Sequence, residues 1–329
     1  MKKILVITTG GTIASQETSS GGLSPQIGAD GLLSFVPELS SKYEIHTLPI
    51  LNIESSDLEP EQWLIMINAV KANYENYDGF VITHGTDTLA FTSAALTYLI
   101  RNSAKPIVIT GSQLPIDYPL TDAKKNLTDS CRIAAEDNFP GVYVVFDGKV
   151  ILGSRARKVN SISNGAFDSI NYPLAAKVYE NKICRYQVLP QPVEPVCFGN
   201  KLENSVVTIK ITPGMTAESV AAIGSYYKAV ILESYGVGGI PRPFLPVIEQ
   251  WYNEGKVIAA TSQVTYEGTD LEVYTVGNEI SRRFDAIQTY DMTLAAAVAK
   301  LMCILPQTKN SAEVKEMFYK TIDCDIFTA

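Results

Sequence analysis

Residues 4–15 read ILVITTGGTIAS, in which the apolar run Ile4–Thr9 stops abruptly at two glycines and a threonine. A continuous apolar run of this length, without strict alternation, is typical of a strand buried on both faces of a parallel sheet. Further runs of the same kind are Phe80–Thr83, Pro106–Thr110, Val142–Asp147, Val206–Ile211, Ala229–Tyr235 and Val257–Ser262. Their recurrence predicts a sheet of buried parallel strands.

Helical patterns separate these runs. After Ser56–Glu59, which resembles a capping box, apolar residues recur at helical spacing from Trp63 to Tyr74. A second helix is predicted to begin near Thr216. Its apolar face is predicted to consist of Val220, Ile223 and Tyr227. Strands that alternate with helices indicate an α/β fold.

The length of 329 residues suggests two domains at roughly 150 residues each. The segment Tyr186–Asn204 contains three prolines and no helical or strand period, which is typical of a linker. We therefore predict a larger N-terminal, flavodoxin-like or Rossmann-like parallel-sheet domain over 1–186. A linker over 187–205 and a smaller C-terminal α/β domain over 206–329 complete the prediction.

The charge balance argues against two classes of partner. The chain has 27 Lys+Arg against 35 Asp+Glu, a formal net charge of −8, and no block of like charge. Such a chain is a poor electrostatic match for phosphate backbones or anionic lipid, so neither nucleic acid nor a membrane is expected as a partner. The N-terminus also lacks the apolar core of a signal peptide, and we expect a cytoplasmic protein.

Metal ligands are sparse. The two histidines, His46 and His84, lie far apart, and no two of the five cysteines form a Cys-x-x-Cys pair. No metal site is therefore predicted. The thiols are interpreted as reduced, small buried hydrophobic groups.

The residues just after the strands are candidates for a site, because ligands bind outside the carboxyl ends of the strands in open parallel sheets. Glycine stands beside hydroxyl side chains at three such ends: Thr8–Ser15, Thr83–Thr88 and Thr110–Gln113. Neither a phosphate-binding glycine pattern nor a Gly-x-Ser-x-Gly elbow occurs there. A threonine nucleophile remains, provided that a lysine, tyrosine or carboxylate accepts its proton.

Each of these segments also has an ordinary structural interpretation. Thr9–Thr12 fits a strand-to-helix turn, Thr86–Thr88 fits a helix start, and His84 fits a hydrogen-bonded loop histidine. On consecutive carboxyl-end loops of one sheet, however, they favour a site. Thr86 and Asp87 would supply a hydroxyl and a carboxylate side by side.

Thr9–Ala14 and His84–Thr88 resemble the two signature motifs of the bacterial-type L-asparaginase family. The similarity continues, over nearly the whole chain, through Ser55–Asp57, Thr110–Gln113, Ser234–Gly238 and Gly277–Asn278. Without a secretion signal, the chain is more similar to the cytosolic type I branch than to the exported type II branch. The resemblance implies hydrolysis of the side-chain amide of L-asparagine to L-aspartate and ammonia, without a metal or organic cofactor.

The resemblance also implies residue roles. Thr12 corresponds to the primary nucleophile, and Thr86 to a second essential threonine with Asp87 beside it and Lys158 as its partner. A lysine near Thr86 would lower the cost of deprotonating a threonine. Attack by Thr12, loss of ammonia and hydrolysis of a β-aspartyl ester is the expected order, although which threonine attacks stays open.

Substrate-binding residues follow in the same way. Ser55 corresponds to the residue that holds the α-carboxylate, and Asp87 to the group that receives the α-ammonium. The remaining candidates for substrate binding are Glu54, Thr86 and Ser112. The family further implies a homodimer or homotetramer in which a neighbour's C-terminal domain closes each site.

The chain departs from the family at two positions. Many members carry a tyrosine on the mobile loop after the first strand, where this chain aligns Leu23, so another group would have to activate Thr12. Some cytosolic members carry an arginine of a regulatory asparagine site just before the Ser234–Gly238 motif, where this chain has Glu233. A carboxylate would repel an α-carboxylate, and we expect no activation by asparagine of that kind.

Two other kinds of protein share some of these features. An amino-acid-binding protein of the periplasmic type is also a two-domain α/β protein, but it would need an export signal and has no use for a lysine paired with threonines. Subunits that deamidate glutamine for transfer to misacylated transfer RNA share the motifs, but they carry an added N-terminal domain for which Met1 leaves no room. The preference between asparagine and glutamine stays open, because one methylene is worth only about 1–3 kcal/mol.

Overall fold

A computed structural model describes residues 1–18, 21–180 and 182–327. The chain divides into two compact units, Met1–Asn200 and Lys201–Ala329.

The first unit contains short and long strands interleaved with four helices in the described residues. In chain order these elements are β1 (Lys3–Gly10), β2 (Ser15–Glu17), β3 (Leu23–Pro25), α1 (Ala29–Ser34), β4 (Glu44–Ile53), α2 (Pro60–Asn73), β5 (Gly79–Thr83), α3 (Leu89–Leu99), β6 (Ile100–Arg101), β7 (Pro106–Thr110), α4 (Ala123–Ala134), β8 (Gly141–Phe146), β9 (Lys149–Leu152), β10 (Ala156–Lys158), β11 (Phe167–Ser169), β12 (Ala176–Tyr179), β13 (Lys182–Arg185) and β14 (Cys197–Phe198). Short 3-10 turns lie at Thr12–Ala14, Pro37–Leu39, Ser55–Asp57 and Tyr74–Asn76.

The main sheet of this unit has eight strands in the spatial order β13-β12-β9-β8-β7-β5-β1-β4. The strands β4, β1, β5, β7 and β8 are parallel, whereas β9, β12 and β13 extend the sheet in antiparallel pairs. Numbered along the chain, the five parallel strands take the order 2-1-3-4-5, which is that of flavodoxin-like folds. The predicted fold class is therefore confirmed for this unit.

The predicted strands form because their residues are buried on both faces. Every residue of β5, β7 and β8 is buried, as the continuous apolar runs require. Strand β4 was not predicted, because this edge strand pairs only with β1 and its side chains are half-buried or exposed in turn. Polar residues such as Glu44 and His46 therefore interrupt its apolar pattern.

The capping box before α2 was placed wrongly. The helix begins at Pro60, and its capping box consists of Glu59 at the N-cap and Gln62, not of Ser56 and Glu59. Pro60 explains the difference, because proline fits the first helical position, where its missing N–H costs no hydrogen bond. Three of the predicted apolar positions, Trp63, Ile67 and Val70, are buried in α2, and the fourth, Tyr74, is buried in the 3-10 turn that follows. Met66 is buried as well and was not predicted.

The second unit alternates strands with helices throughout. Its elements are β15 (Val206–Lys210), α5 (Ala217–Ser225), β16 (Ala229–Ser234), α6 (Leu245–Asn253), β17 (Val257–Ser262), α7 (Thr275–Arg283), β18 (Ile287–Gln288), α8 (Leu294–Ile304) and α9 (Ser311–Tyr319), with 3-10 turns at Arg242–Phe244 and Leu271–Val273. The four strands form a parallel sheet in the order β15-β16-β17-β18, as predicted for a smaller α/β domain.

The predicted start of α5 is confirmed, but its predicted apolar face is partly wrong. Thr216 is the N-cap and its hydroxyl accepts a hydrogen bond from the Ser219 N–H. Val220 is buried, whereas Ile223 is exposed. Gly224 takes the buried place instead, since a Cβ there would lie 2.2 Å from the Trp251 ring at the centre of this unit's core.

Most of the segment predicted to be a linker lies in the first unit. Gln187 donates to the Pro173 carbonyl oxygen, and β14 pairs with β6 in an antiparallel ladder. The unit boundary falls after Asn200, and the domain limits stay a prediction.

The prediction of buried thiols holds only in part. Cys131 and Cys303 are buried, and burial raises the pKa of the Cys131 thiol to about 12. Cys184 and Cys324 are half-buried and Cys197 is exposed, because these three lie in a short edge strand, a terminal turn and a two-residue ladder.

Within the described ranges, no helix is long and apolar enough to span a bilayer.

Candidate active site

The candidate residues converge at the point where the strand order of the main sheet reverses. The chain leaves β1 towards β4 on one side, and β5 is followed by β7 on the other. The two loops therefore diverge and open a crevice at the carboxyl ends, which is where ligands bind in such sheets. Thr12 follows β1 and Thr86 follows β5.

Glycines let the backbones of three loops touch. Gly11 has φ of +77°, and a Cβ on it would lie 2.4 Å from the Gly85 nitrogen. A Cβ on Gly85 would in turn lie 2.5 Å from the Ser55 Oγ. Larger residues would push these loops apart, so the glycines set the distance between the groups that follow β1, β4 and β5.

A small cavity of about 170 Å³ lies between these loops. It is lined by Gly11, Thr12, Ser15, Leu23, Glu54, Ser55, Ser56, Gly85, Thr86 and Asp87. The structure thus brings together five of the predicted site residues: Thr12, Glu54, Ser55, Thr86 and Asp87. Its size suits a small polar molecule.

Lys158 reaches this group from the end of β10. Its ammonium lies 2.7 Å from the Thr86 Oγ1 and 2.7 Å from the Asp87 Oδ1. The short antiparallel ladder between β10 and β11 holds the lysine backbone in place. The lysine side chain is 21% exposed and that of Asp87 68%, so their ion pair remains open to a ligand from the solvent side.

Ser55 is tied to the same loop. Its Oγ accepts a hydrogen bond of 3.2 Å from the Asp87 N–H, and its carbonyl oxygen accepts one of 2.8 Å from the Thr88 hydroxyl. Because the Ser55 oxygen is the acceptor, its own hydrogen is left to donate to a ligand. Ser55 itself is buried, with 6% of its surface exposed.

Ser112 is the one predicted site residue that the structure places elsewhere. It is fully buried, and its hydroxyl donates to the Leu114 carbonyl oxygen at 2.6 Å. Among the described residues that line the cavity it is absent. Its hydroxyl therefore shapes the loop after β7.

His84 is a buried, hydrogen-bonded histidine, as one of the two interpretations predicted. The Gly85 carbonyl oxygen can only accept, so the hydrogen of the neutral ring lies on Nδ1 and the Nε2 accepts from the Thr92 hydroxyl at 3.0 Å; the Thr92 Oγ1 in turn accepts from the Trp63 indole at 2.9 Å. The Nδ1–H then donates to the Gly85 carbonyl oxygen at 2.7 Å. Burial lowers the pKa of His84 to about 4, which keeps the ring neutral.

This histidine also orients the peptide that precedes Thr86. The described backbone has no cis peptide bonds, so the carbonyl of Gly85 and the N–H of Thr86 point in opposite directions. With the carbonyl held by the imidazole, the Thr86 N–H points away from it.

Two residues near the site were not predicted from the sequence. The Thr86 hydroxyl lies 3.3 Å from the Gln113 Oε1. The buried Asp122 carboxylate accepts from the N–H groups of Gln113 and Leu114, at 3.0–3.1 Å. Gln113 belongs to the quoted Thr110–Gln113 motif, but the motif does not indicate which side chain of a loop faces the site.

Leu23, predicted to stand in the place of the family's tyrosine, is on the wall of the cavity. It begins β3 and lines the cavity with Thr12, although it has no group that could accept a proton. In the parts of the chain that are described, the Thr12 hydroxyl has no hydrogen-bond partner.

Among the same described residues, no cluster of three or more His, Cys, Asp or Glu residues could hold a metal ion.

Comparisons with known proteins agree with this fold. The family model described as "Asparaginase, N-terminal" matches residues 3–190, and that described as "Glutaminase/Asparaginase C-terminal domain" matches residues 205–318. The chain is 40% identical over 329 residues to the L-asparaginase of Thermococcus kodakarensis, covering 98% of this chain and 99% of that protein.

Two further comparisons extend the likeness. The chain is 32% identical over 330 residues to a subunit of the Glutamyl-tRNA(Gln) amidotransferase of Pyrococcus abyssi, covering 96% of this chain and 75% of that protein. The solved structure of the thermostable L-asparaginase from Thermococcus kodakarensis matches with a TM-score of 0.94 at 38% identity, over 99% of this chain and all of that one. The resemblance is confirmed, and the chain belongs to the asparaginase family of enzymes.

Proposed function

We propose that this chain is an L-asparaginase that hydrolyses L-asparagine to L-aspartate and ammonia, with Thr12 as nucleophile. The main support is one arrangement: the Lys158 ammonium bonds both Thr86 and Asp87 at 2.7 Å, beside a small cavity that Thr12 also lines. The names of the Thermococcus kodakarensis relatives favour the same activity.

Recognition of an α-amino acid uses two groups at fixed spacing. The Ser55 hydroxyl, whose oxygen already accepts from the Asp87 N–H, donates to the α-carboxylate. The Asp87 carboxylate holds Lys158 with one oxygen and receives the α-ammonium with the other. Glu54 lines the same cavity and adds a second negative charge near the ammonium. The substrate amide is thereby held beside the threonines.

The reaction proceeds in two steps. The Thr12 oxygen bonds to the amide carbon and gives up its proton, and the oxyanion is stabilised by backbone N–H groups that include that of Thr86. The C–N bond then breaks, and the leaving nitrogen takes the proton lost by Thr12 and departs as ammonia. Water then attacks the β-aspartyl ester and releases aspartate and the Thr12 hydroxyl. Lys158 stabilises the negative charge that develops near Thr86.

The first experiment measures ammonia release from L-asparagine by the wild type and by Thr12→Val. Thr275→Val, at an exposed threonine of the second unit, is the matched control. We expect the Thr12 variant to lose at least about 10³-fold in kcat and the control to keep wild-type activity. A wild type without activity, or an active Thr12 variant, contradicts the proposal.

A second candidate activity is the release of ammonia from L-glutamine. It is favoured by the relatives named as Glutamyl-tRNA(Gln) amidotransferase subunits, at 32–33% identity. The same assay with L-glutamine separates the two substrates. A glutamine kcat/KM above the asparagine value would reverse our assignment.

We further propose a cytoplasmic homodimer or homotetramer without activation by asparagine. Glu233 is buried, and its carboxylate lies 3.4 Å from the Lys210 ammonium. The position therefore carries a negative charge, and the neighbouring lysine is already paired with it rather than with a ligand carboxylate. Light scattering of the purified protein tests the oligomeric state. A sigmoidal dependence of rate on asparagine concentration would overturn the proposal on regulation.

A further inference from the structure

The side-chain amide of Gln113 lies between the second threonine and the hairpin that carries Lys158. Its Oε1 is 3.3 Å from the Thr86 Oγ1, and its Nε2 donates to the Ser163 carbonyl oxygen at 3.4 Å. We propose that Gln113 is a positioning residue that fixes the hydroxyl of Thr86 as a hydrogen-bond acceptor towards the substrate, and so makes the site prefer an amide over a carboxylate.

The direction of each hydrogen bond follows from the groups at the ends of the chain of bonds. The Lys158 ammonium has only donors, so the Thr86 oxygen accepts from it. The Ser163 carbonyl has only an acceptor, so it takes the Nε2–H of Gln113 and leaves the Oε1 facing Thr86. The Thr86 hydrogen therefore goes to Gln113. One lone pair of the Thr86 oxygen remains for a ligand.

Buried side chains fix the backbone of the loop that carries Gln113 through hydrogen bonds. The Asp122 carboxylate accepts from the Gln113 N–H with both oxygens, at 3.1 and 3.0 Å. The Asn126 amide donates to the Gly111 carbonyl oxygen and to Asp122, at 3.0 and 3.1 Å. Asp122 is 6% exposed and Asn126 is fully buried, so Gln113 approaches Thr86 from a rigid base.

A remaining lone pair distinguishes substrate from product, and this step rests on the proposed function. The side-chain amide of asparagine carries N–H donors, which an acceptor satisfies. The ionised side chain of aspartate carries only acceptors, so its oxygen would face the Thr86 oxygen without a hydrogen between them. Gln113 thus weakens product binding relative to substrate binding.

The test is the ratio of the two dissociation constants, aspartate over asparagine, measured by calorimetry at pH 7.5 in a Thr12→Val background that blocks turnover. In Gln113→Leu the Thr86 hydroxyl is released to rotate and donate, and we expect the ratio to fall roughly tenfold. Gln250→Leu is the control, since Gln250 is an exposed glutamine that bonds Glu254 one turn further along the chain. An unchanged ratio in Gln113→Leu overturns the inference.

A pH series adds a readout that a merely structural role would not move. In the Thr12→Val background, aspartate binding should strengthen as the pH falls towards 4, because a protonated carboxyl can donate to Thr86. This strengthening should be several-fold smaller in Gln113→Leu. An equal pH dependence in both proteins speaks against the proposal.

A second variant covers the case in which Gln113→Leu unfolds. Gln113→Glu has the same shape and still accepts the Thr86 hydrogen, so the aspartate-to-asparagine ratio should stay at or above its original value. A fall in that ratio overturns the inference. Ammonia release by the otherwise unaltered enzyme is measured separately, so a failure of the proposed function is told apart from a failure of this one.

Discussion

The buried histidine should make the protein less stable in mild acid. His84 has an ordinary pKa of 6.5, which burial lowers to about 4 in the folded protein. Between these values the unfolded chain binds a proton that the folded chain does not. The contribution of His84 to the free energy of unfolding is therefore fully present above pH 6.5 and is lost as the pH drops towards 4. The difference of about 2.5 in pKa corresponds to about 3 kcal/mol, at about 1.36 kcal/mol for each pH unit.

The measurement compares urea unfolding between pH 7 and pH 4 in the wild type and in His84→Gln. All other titrating groups are common to the two proteins, so the difference between their pH slopes isolates this histidine. We expect the wild type to lose about 3 kcal/mol more than the variant over this range, although the variant is less stable at pH 7. His46→Gln, at the exposed second histidine, is the matched control.

Proton NMR provides an independent check, because the chain has only two histidines. The resonance assigned by its loss in His84→Gln should not titrate above pH 5. Parallel unfolding curves for wild type and His84→Gln, or a midpoint near 6.5 for that resonance, would refute the reasoning from burial.

Three further changes test the packing around the site and in the second unit. Gly85→Ala brings a Cβ to 2.5 Å from the Ser55 Oγ. We expect kcat/KM for ammonia release to fall by at least about 100-fold, and the free energy of unfolding in urea to fall by about 1–3 kcal/mol. Wild-type kinetics would contradict this packing. Lys158→Met should lower kcat about 10²–10³-fold in the same assay while the melting temperature changes little, because the lysine bonds a partly exposed site. Lys300→Met removes the ammonium 2.6 Å from the buried Asp325 carboxylate and should cost about 3–5 kcal/mol of unfolding free energy. Adding Asp325→Asn should recover part of this loss, and a loss below about 1 kcal/mol would show that the pair is not isolated from water.

Much of the fold was readable from local pattern. Buried parallel strands need apolar residues on both faces, so β1, β5 and β7 are visible in the sequence as continuous apolar runs. The edge strand β4 and the antiparallel extension of the sheet did not stand out, because one face or edge is exposed and the apolar pattern is broken there. Family motifs supplied the threonines and the lysine.

What the sequence by itself determined is the set of reactive groups and the sheet that carries them: Thr12 and Thr86 follow apolar strands, and glycines stand beside them. The family resemblance named Lys158 as the partner of Thr86, but only the tertiary structure decided the other contacts of these groups. Lys158 meets Thr86 across 72 residues of chain, and Gln113 faces Thr86 while Ser112 turns inward. Strand burial repeats with a local period, whereas the direction of a loop side chain is set by distant groups, here the carboxylate of Asp122, which no period encodes.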